Sequence, residues 1–451
     1  MNSHRRDVAW QRWSMLFLVC GWLIAADRVF SQDEPKLEEK RVVVGKLLTA
    51  DGTLLQHQGP GQKWEVLKQG ADLYSGVVLL QMTTDAEIES KNGAVVLHLI
   101  EDVADDSPYR AMESSVVLHE NPDVDFDFTL LHGVVGIENI KEKGEAKVLV
   151  KFRDEVWEFH LQEPGTRLGL QYFARWPQGV PFVKEKEDPP QEPLGEMYML
   201  VIKGEVIFKH DGHTHHLKAP PGPAGFHWDS VQGEDTSPTR LEKLPPRATP
   251  ESRETESAKK LMAALEQLRQ DIVTKGVQEA LLDGVTSSDP ALRYVSVIGL
   301  GATNDLKHLA DALADPRRPD VRDTAITVLR GWIGRGPGQD HLLFESLQKN
   351  NGYSERHAEI ILTALHTPSH EMCARPELYE ILIEGLQHPK LAVRELARWH
   401  LYRCAPAGKD IEYDAAASKV LREIARLKWL ELIPEGQLPP APKLPDGDKK
   451  D

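Results

Sequence analysis

The chain predicts a multidomain β-plus-α fold: an all-β amino-terminal domain, built as a β-solenoid, sandwich or barrel, followed by a domain of α-helical repeats. Three observations carry this. Between Val42 and Lys218 apolar residues recur at every second position. From about residue 250 to 432 the period lengthens to that of a helix. Between them, residues 219–249 are rich in proline and polar residues.

At the amino terminus, Arg5, Arg6 and Arg12 precede an uncharged apolar run from Met15 to Ala26. A membrane-spanning helix needs about 20 apolar residues, so these 12 are short for an anchor. Val29 and Ser31 are small enough to frame a cleavage site before Gln32, and residues 1–31 are expected to be a secretory signal. The alternative is an uncleaved anchor through residues 15–26. Val19 stands where lipidation of Cys20 would want a small residue, and Asp7-Val8 do not continue a twin-arginine pattern after Arg5-Arg6. The expected location is extracytoplasmic, periplasmic or secreted, with no strong membrane insertion if the signal is cleaved.

Composition narrows the partners. With 54 basic and 70 acidic residues the formal net charge is −16, which suits neither nucleic acid nor anionic lipid. Three cysteines occur, and Cys20 leaves with the signal. Cys373 and Cys404 either form one disulfide in an oxidising compartment or stay as two buried thiols.

In the first domain, residues 42–218, Trp157, Phe159 and Leu161 alternate with Glu158 and His160, and Val148, Val150 and Phe152 with Lys147, Leu149 and Lys151. Such runs bury one face of a strand. Asp51-Gly52, Asn92-Gly93 and Asp211-Gly212 supply turn chemistry between them. About a dozen strands and no helix are expected.

An ordered series of glycine turns and short β-runs spans this region. It comprises Gly45-Lys46-Leu47, Leu67 to Gly76, Ser90 to Leu97, His132-Gly133-Val134-Val135, Pro164-Gly165-Thr166 and Lys203-Gly204-Glu205-Val206. The series resembles the FecR domain, the extracytoplasmic part of bacterial iron-citrate-type sensor regulators. The resemblance implies a sensing or docking module rather than an enzyme. Family members that regulate sigma factors carry a cytoplasmic domain ahead of a membrane helix. Only 14 residues precede the apolar run here, too few to fold, so only the extracytoplasmic module carries over.

Two stretches break the alternation. Residues 183–195, with Lys184 to Asp188 and then Pro189-Pro190, are expected to be an exposed loop. Residues 219–249 are expected to be an extended linker, because their composition buries too little apolar surface to offset ordering entropy. Phe226-His227-Trp228 is the exception and is expected to pack back onto the β domain.

The helical region, residues 250–432, opens with Thr249-Pro250-Glu251 as a helix start and the stripe Leu261, Leu265, Leu268 and Ile272. Val420, Ile424 and Leu427 are expected to continue the stripe at its far end. An internal repeat aligns on Arg293, Arg322 and Arg394. Ser296, Ala325 and Ala397 follow three positions on, and Leu300, Leu329 and Leu401 seven positions on. A fourth copy has Glu355, Ala358 and Leu362, giving spacings of 29, 33 and 39 residues. This spacing predicts stacked helix pairs. Asp320 to Ala325 and Ala392 to Ala397, with Pro290, Pro319 and Pro389 ahead of the helices, are similar to the second helix of HEAT repeats. That resemblance implies binding of a protein along the helical stack. Residues 433–451 are expected to be a disordered tail.

No phosphate loop, zinc-protease pair or nucleophile elbow occurs, and no catalytic, cofactor or metal residue is assigned. Gly331, Gly334, Gly336 and Gly338 are expected to end a helix. His210, His213, His215 and His216 flank the Asp211-Gly212 turn, where alternate histidines could share a face and hold Zn²⁺ or Cu²⁺; the alternative is a solvated hairpin tip. Asp123, Asp125 and Asp127 lack the glycine of a calcium loop and are expected on an outward strand face. Arg293, Arg322 and Arg394, near Asp289, Asp320 and Glu395, are expected to pair between repeats. The expectation is therefore a non-catalytic extracytoplasmic binding or scaffold protein. Its helical repeats would bind a protein and its β domain an envelope ligand. The alternatives are a membrane-anchored sensor or regulator, or a hydrolase of envelope polymers.

Overall fold

A computed structural model describes residues 41–59, 62–104, 111–185, 190–231 and 237–441. The expected signal segment 1–31, residues 186–189 of the expected loop and residues 442–451 of the expected tail lie outside the described residues.

Alternating burial produces strands throughout the first half. In chain order these are β1 (Val43–Leu47), β2 (Leu55–His57), β3 (Glu65–Val66), β4 (Asp72–Tyr74), β5 (Val78–Gln81), β6 (Ala86–Ser90), β7 (Val95–Ile100), β8 (Ser114–Leu118) and β9 (Phe126–Asn139). They continue with β10 (Ala146–Phe152), β11 (Glu155–Leu161), β12 (Arg167–Arg175), β13 (Leu194–Lys203), β14 (Glu205–His210), β15 (His213–Lys218), β16 (Gly222–Asp229) and β17 (Thr239–Leu241). In β10, Ala146, Val148, Val150 and Phe152 are buried while the residues between them reach the surface. His160 departs from the expected outward position and is nearly buried, at 8% exposure.

The strands form one connected sheet that does not close into a barrel. It folds at β9 into two layers. One layer runs β4-β1-β6-β7-β9-β12-β13-β16-β17. The other runs β3-β2-β5-β8-β9-β10-β11-β14-β15. All these pairings are antiparallel except β9 with β10. The 14-residue β9 serves both layers: its first half pairs with β8 and β10, its second with β7 and β12. Gly133 marks the change, with φ of 104°. A Cβ there would lie 2.4 Å from Ser114 Oγ, so only glycine fits the bend.

The layers meet through rings. Phe152 lies 5.3 Å from Tyr172 and 5.1 Å from Trp228, and Phe208 lies 5.0 Å from Phe226. Each of these pairs joins one layer to the other. Phe226 and Trp228 thus pack onto the β core as expected. The surrounding stretch, however, is not a linker. β16 pairs with β13, and β17 extends the same layer. Aromatic burial by Phe226 and Trp228 outweighs the proline-rich composition on either side. Likewise Asp51-Gly52 is no tight hairpin, since β1 and β2 lie in different layers; Asn92-Gly93 and Asp211-Gly212 do connect paired strands.

The second half contains α1 (Glu256–Lys275), α2 (Val277–Thr286), α3 (Pro290–Ala302), α4 (Leu306–Leu313), α5 (Pro319–Ile333), α6 (Gln339–Lys349), α7 (Glu355–Leu365), α8 (His370–Cys373), α9 (Pro376–Gly385), α10 (Leu391–Cys404) and α11 (Lys419–Leu432). Thr249-Pro250 begins only a short 3₁₀ turn. α1 starts later, where the Thr255 side chain accepts from Ala258 N. Its stripe of Leu261, Leu265, Leu268 and Ile272 is buried. The repeat frame corresponds to α3, α5, α7 and α10. Ser296, Ala325, Ala358 and Ala397 are all buried there, as are Leu300, Leu329, Leu362 and Leu401. Each of these helices packs against the one before it in sequence, and α3, α5, α7 and α10 pack on one another, giving stacked pairs. The expected tail begins docked, with Ile433 buried and Gly436 N bonded to Glu380.

From Val42 onward the two halves belong to one unit. Leu55, Leu80, Met82, Val103, Met112 and Phe182 of the β region share a core with α1–α7. Polar contacts lock the junction. Trp64 Nε1 donates to Thr303 O (3.1 Å), Trp176 Nε1 to Ile333 O (2.9 Å), and Arg269 to Asp51 O (2.6 Å). The separate domains expected on either side of an extended linker are instead fused, because a second apolar face of the sheet needed covering.

Candidate functional site

The histidine hairpin sits at the edge of one layer. Register pairs His210 with His213 and Phe208 with His215, so these four share one face, while His216 opposite Ile207 takes the other. The ring centroids of His210, His213 and His215 lie 5.4–6.4 Å apart. His210 also stacks on Phe208 at 4.7 Å. Burial, together with His215 and His213, lowers the His210 pKa, which keeps the imidazole neutral. The rings are packed against one another rather than turned toward a common point. Among the described residues, no group of three histidine, cysteine or carboxylate side chains is arranged to hold a metal ion.

On the other face of the hairpin is a shallow cavity of about 270 Å³, lined by Val156, Glu158, Lys209 and Thr214 among others. A charged chain borders it. His160 lies between Glu145 (3.1 Å) and Glu158, and Lys209 donates to Glu158 (3.0 Å). The hydrogen bonds from His160 hold Glu145 and Glu158 below the usual carboxylate pKa. Both are therefore acceptors at neutral pH, not general acids.

Burial raises the pKa of Glu155 beside the hairpin, where it accepts from Trp157 Nε1; two more deeply buried carboxylates with raised pKa lie elsewhere, under the helices. Burial first, and the neighbouring Asp85 second, push Glu101 up to about 9, and Arg253 bridges both carboxyls. Glu113 is raised by burial and bonded to Arg335 (2.8 Å). Arginines cap both positions, leaving these carboxyls as parts of the junction.

The remaining predicted residues are structural. Asp125 accepts from Lys141 Nζ (2.7 Å) and Lys147 N (2.8 Å), and Asp127 pairs with Lys151. Asp127 is buried beneath Lys151 rather than facing solvent. Gly334 in the glycine run follows α5, and a Cβ there would lie 2.7 Å from the Arg175 backbone; the run ends the helix and lets the strand approach. Arg293 pairs with Asp320, and buried Arg322 with Glu395 (2.8 Å). Asp289 instead caps α3. Each repeat arginine also donates to carbonyls of the loop before its own helix, at Ser287, Asp315 and His388.

The feature missed from the sequence is at the end of the helical stack. Val420, Ile424 and Leu427 do not continue the core stripe. They are 69%, 48% and 54% exposed, and Leu421 is 59% exposed. α11 buries Ala425 and Trp429 instead, with the Trp429 ring lying against Gly408. The helix therefore has two apolar faces, only one of them covered. Both spacings are visible in the sequence, but periodicity alone does not say which face turns inward.

Comparison with protein-family models and with curated proteins finds no match. Among the described residues no helix is long and apolar enough to cross a membrane.

Proposed function

We propose that this chain is a non-catalytic, extracytoplasmic binding or scaffold protein that recruits a protein partner through its HEAT-like helical stack. The observation that carries the reading is the open face of α11. Val420, Ile424 and Leu427 stand at i, i+4 and i+7 on the side away from Trp429. A stripe with that spacing is what another helix packs into. The FecR-like β region serves as the docking module for an envelope ligand, with the outer face of the β14–β15 hairpin as its contact surface. Export is argued from the apolar run Met15 to Ala26 and its basic flank.

A photo-crosslinking residue in place of Ile424 tests recruitment in the intact cell, with a second in place of exposed Val273 on α1 as control. A protein adduct specific to position 424 is expected. Equal labelling from both positions, or none, counts against the reading. Amino-terminal sequencing of the mature protein tests export: a start near Gln32 supports a cleaved signal, and an intact Met1 with residues 15–26 retained supports the anchored sensor instead.

A further inference from the structure

We infer that Cys373 and Cys404 are a disulfide-forming pair that staples the connector between α7 and α9 to the end of α10. Their Sγ atoms lie 3.1 Å apart although 31 residues separate them in sequence. That is roughly 1 Å beyond bonding distance. Cys373 ends α8 and Cys404 ends α10, and both are partly buried. A third side chain fixes the two backbone ends together. Tyr379, buried on α9, donates through Oη to Cys373 O (2.7 Å) and lies 3.3 Å from Cys404 O. The approach of the sulfurs is thus set by the packing of three helices.

The position gives the bond a role. α8 is one turn long and buries no residue, so apolar packing does little to hold it. The connector it belongs to also reaches the β region. Thr367 O accepts from Gly179 N (2.8 Å) and His366 Nδ1 lies 3.0 Å from Val180 O, while Arg330 of α5 donates to Leu365 O (2.7 Å) at the end of α7. A covalent bond at Cys373 fixes the far end of a segment whose near end docks on the sheet.

The chemistry needs a small-molecule disulfide as oxidant. The thiolate of Cys373 attacks it, releasing one thiol and forming a mixed disulfide. Cys404 then displaces the second thiol, so two protein thiols lose two protons and two electrons while the oxidant becomes two thiols. Burial, and then Cys373, push the Cys404 thiol up to about 12. The inference rests on geometry and stands whether or not the chain is exported.

The test equilibrates the purified full-length chain with mixtures of reduced and oxidised glutathione, followed by acid quench, alkylation in denaturant and peptide mapping. A cross-linked peptide pair holding Cys373 and Cys404 is expected, with the loss of two hydrogens (about 2 Da) and little glutathione adduct. Free thiols, or glutathione on each cysteine, in excess oxidised glutathione would overturn the pairing. In C404S, glutathione should accumulate on Cys373. Hydrogen exchange of the oxidised and reduced chains reads the staple: slower exchange across residues 366–375 in the oxidised form is expected, and identical exchange refutes that role.

Discussion

Arg335 Nη2 donates to Glu113 Oε1 at 2.8 Å, joining the end of α5 to the strand β8 entrance across the junction of helices and sheet. His132 lies in the same region, its pKa held well below the usual value by burial and then by Arg335. Removing one partner strands a sheltered charge. Arg335→Met is therefore expected to cost about 3–5 kcal/mol, and the Arg335→Met/Glu113→Gln double variant to recover much of it. Urea unfolding of the four members of the cycle measures this; additive losses would show that the two groups are uncoupled.

β9 can serve two layers only while its backbone turns at Gly133. Gly133→Ala places a methyl against Ser114 at a positive φ and is expected to cost about 2 kcal/mol or more. Thermal unfolding of the variant checks it, with an unchanged midpoint as the contrary result.

His400 is buried, with Nε2 2.6 Å from Ala364 O, and burial lowers its pKa to about 4. In the unfolded chain the imidazole takes a proton near its ordinary pKa of 6.5. Between these values the unfolded state binds more protons, so stability is full above pH 6.5 and is lost as pH falls toward 4. The full span is on the order of 3 kcal/mol. His400→Gln should flatten this part of the stability–pH curve, read by denaturant titration at several pH values.

The two faces of α11 respond differently to substitution. Trp429→Ala, which empties the space over Gly408, is expected to cost about 3–5 kcal/mol. Leu427→Ser, on the open face, should change stability by less than about 0.5 kcal/mol. Calorimetry of both variants assigns the inner face directly.

Much of the fold was legible in the residues. Strict alternation places the inward side chains of β10 and β11, and the small-residue and leucine positions of the repeat fall in the buried faces of α3, α5, α7 and α10. What sequence reading lost was long-range. Leu55, Leu80 and Met82 look like ordinary strand residues, and nothing local says they are covered by helices some two hundred residues later. The same limit turned β16 into an expected linker and sent the wrong face of α11 inward. At the hairpin, spacing put three histidines on one face, but only packing shows His215 stacked on both His210 and His213, with no group of three arranged to hold a metal among the described residues.

The shared core has a mechanical consequence. Had the two halves been tethered, the hairpin tip and the outer face of α11 would sample many separations. Because sheet and helices share a core and form one unit from Val42 onward, packed structure rather than a free linker joins the two surfaces. If, as proposed, each surface holds a molecule, both are presented from one packed body, so the chain would act as a gauge rather than a leash.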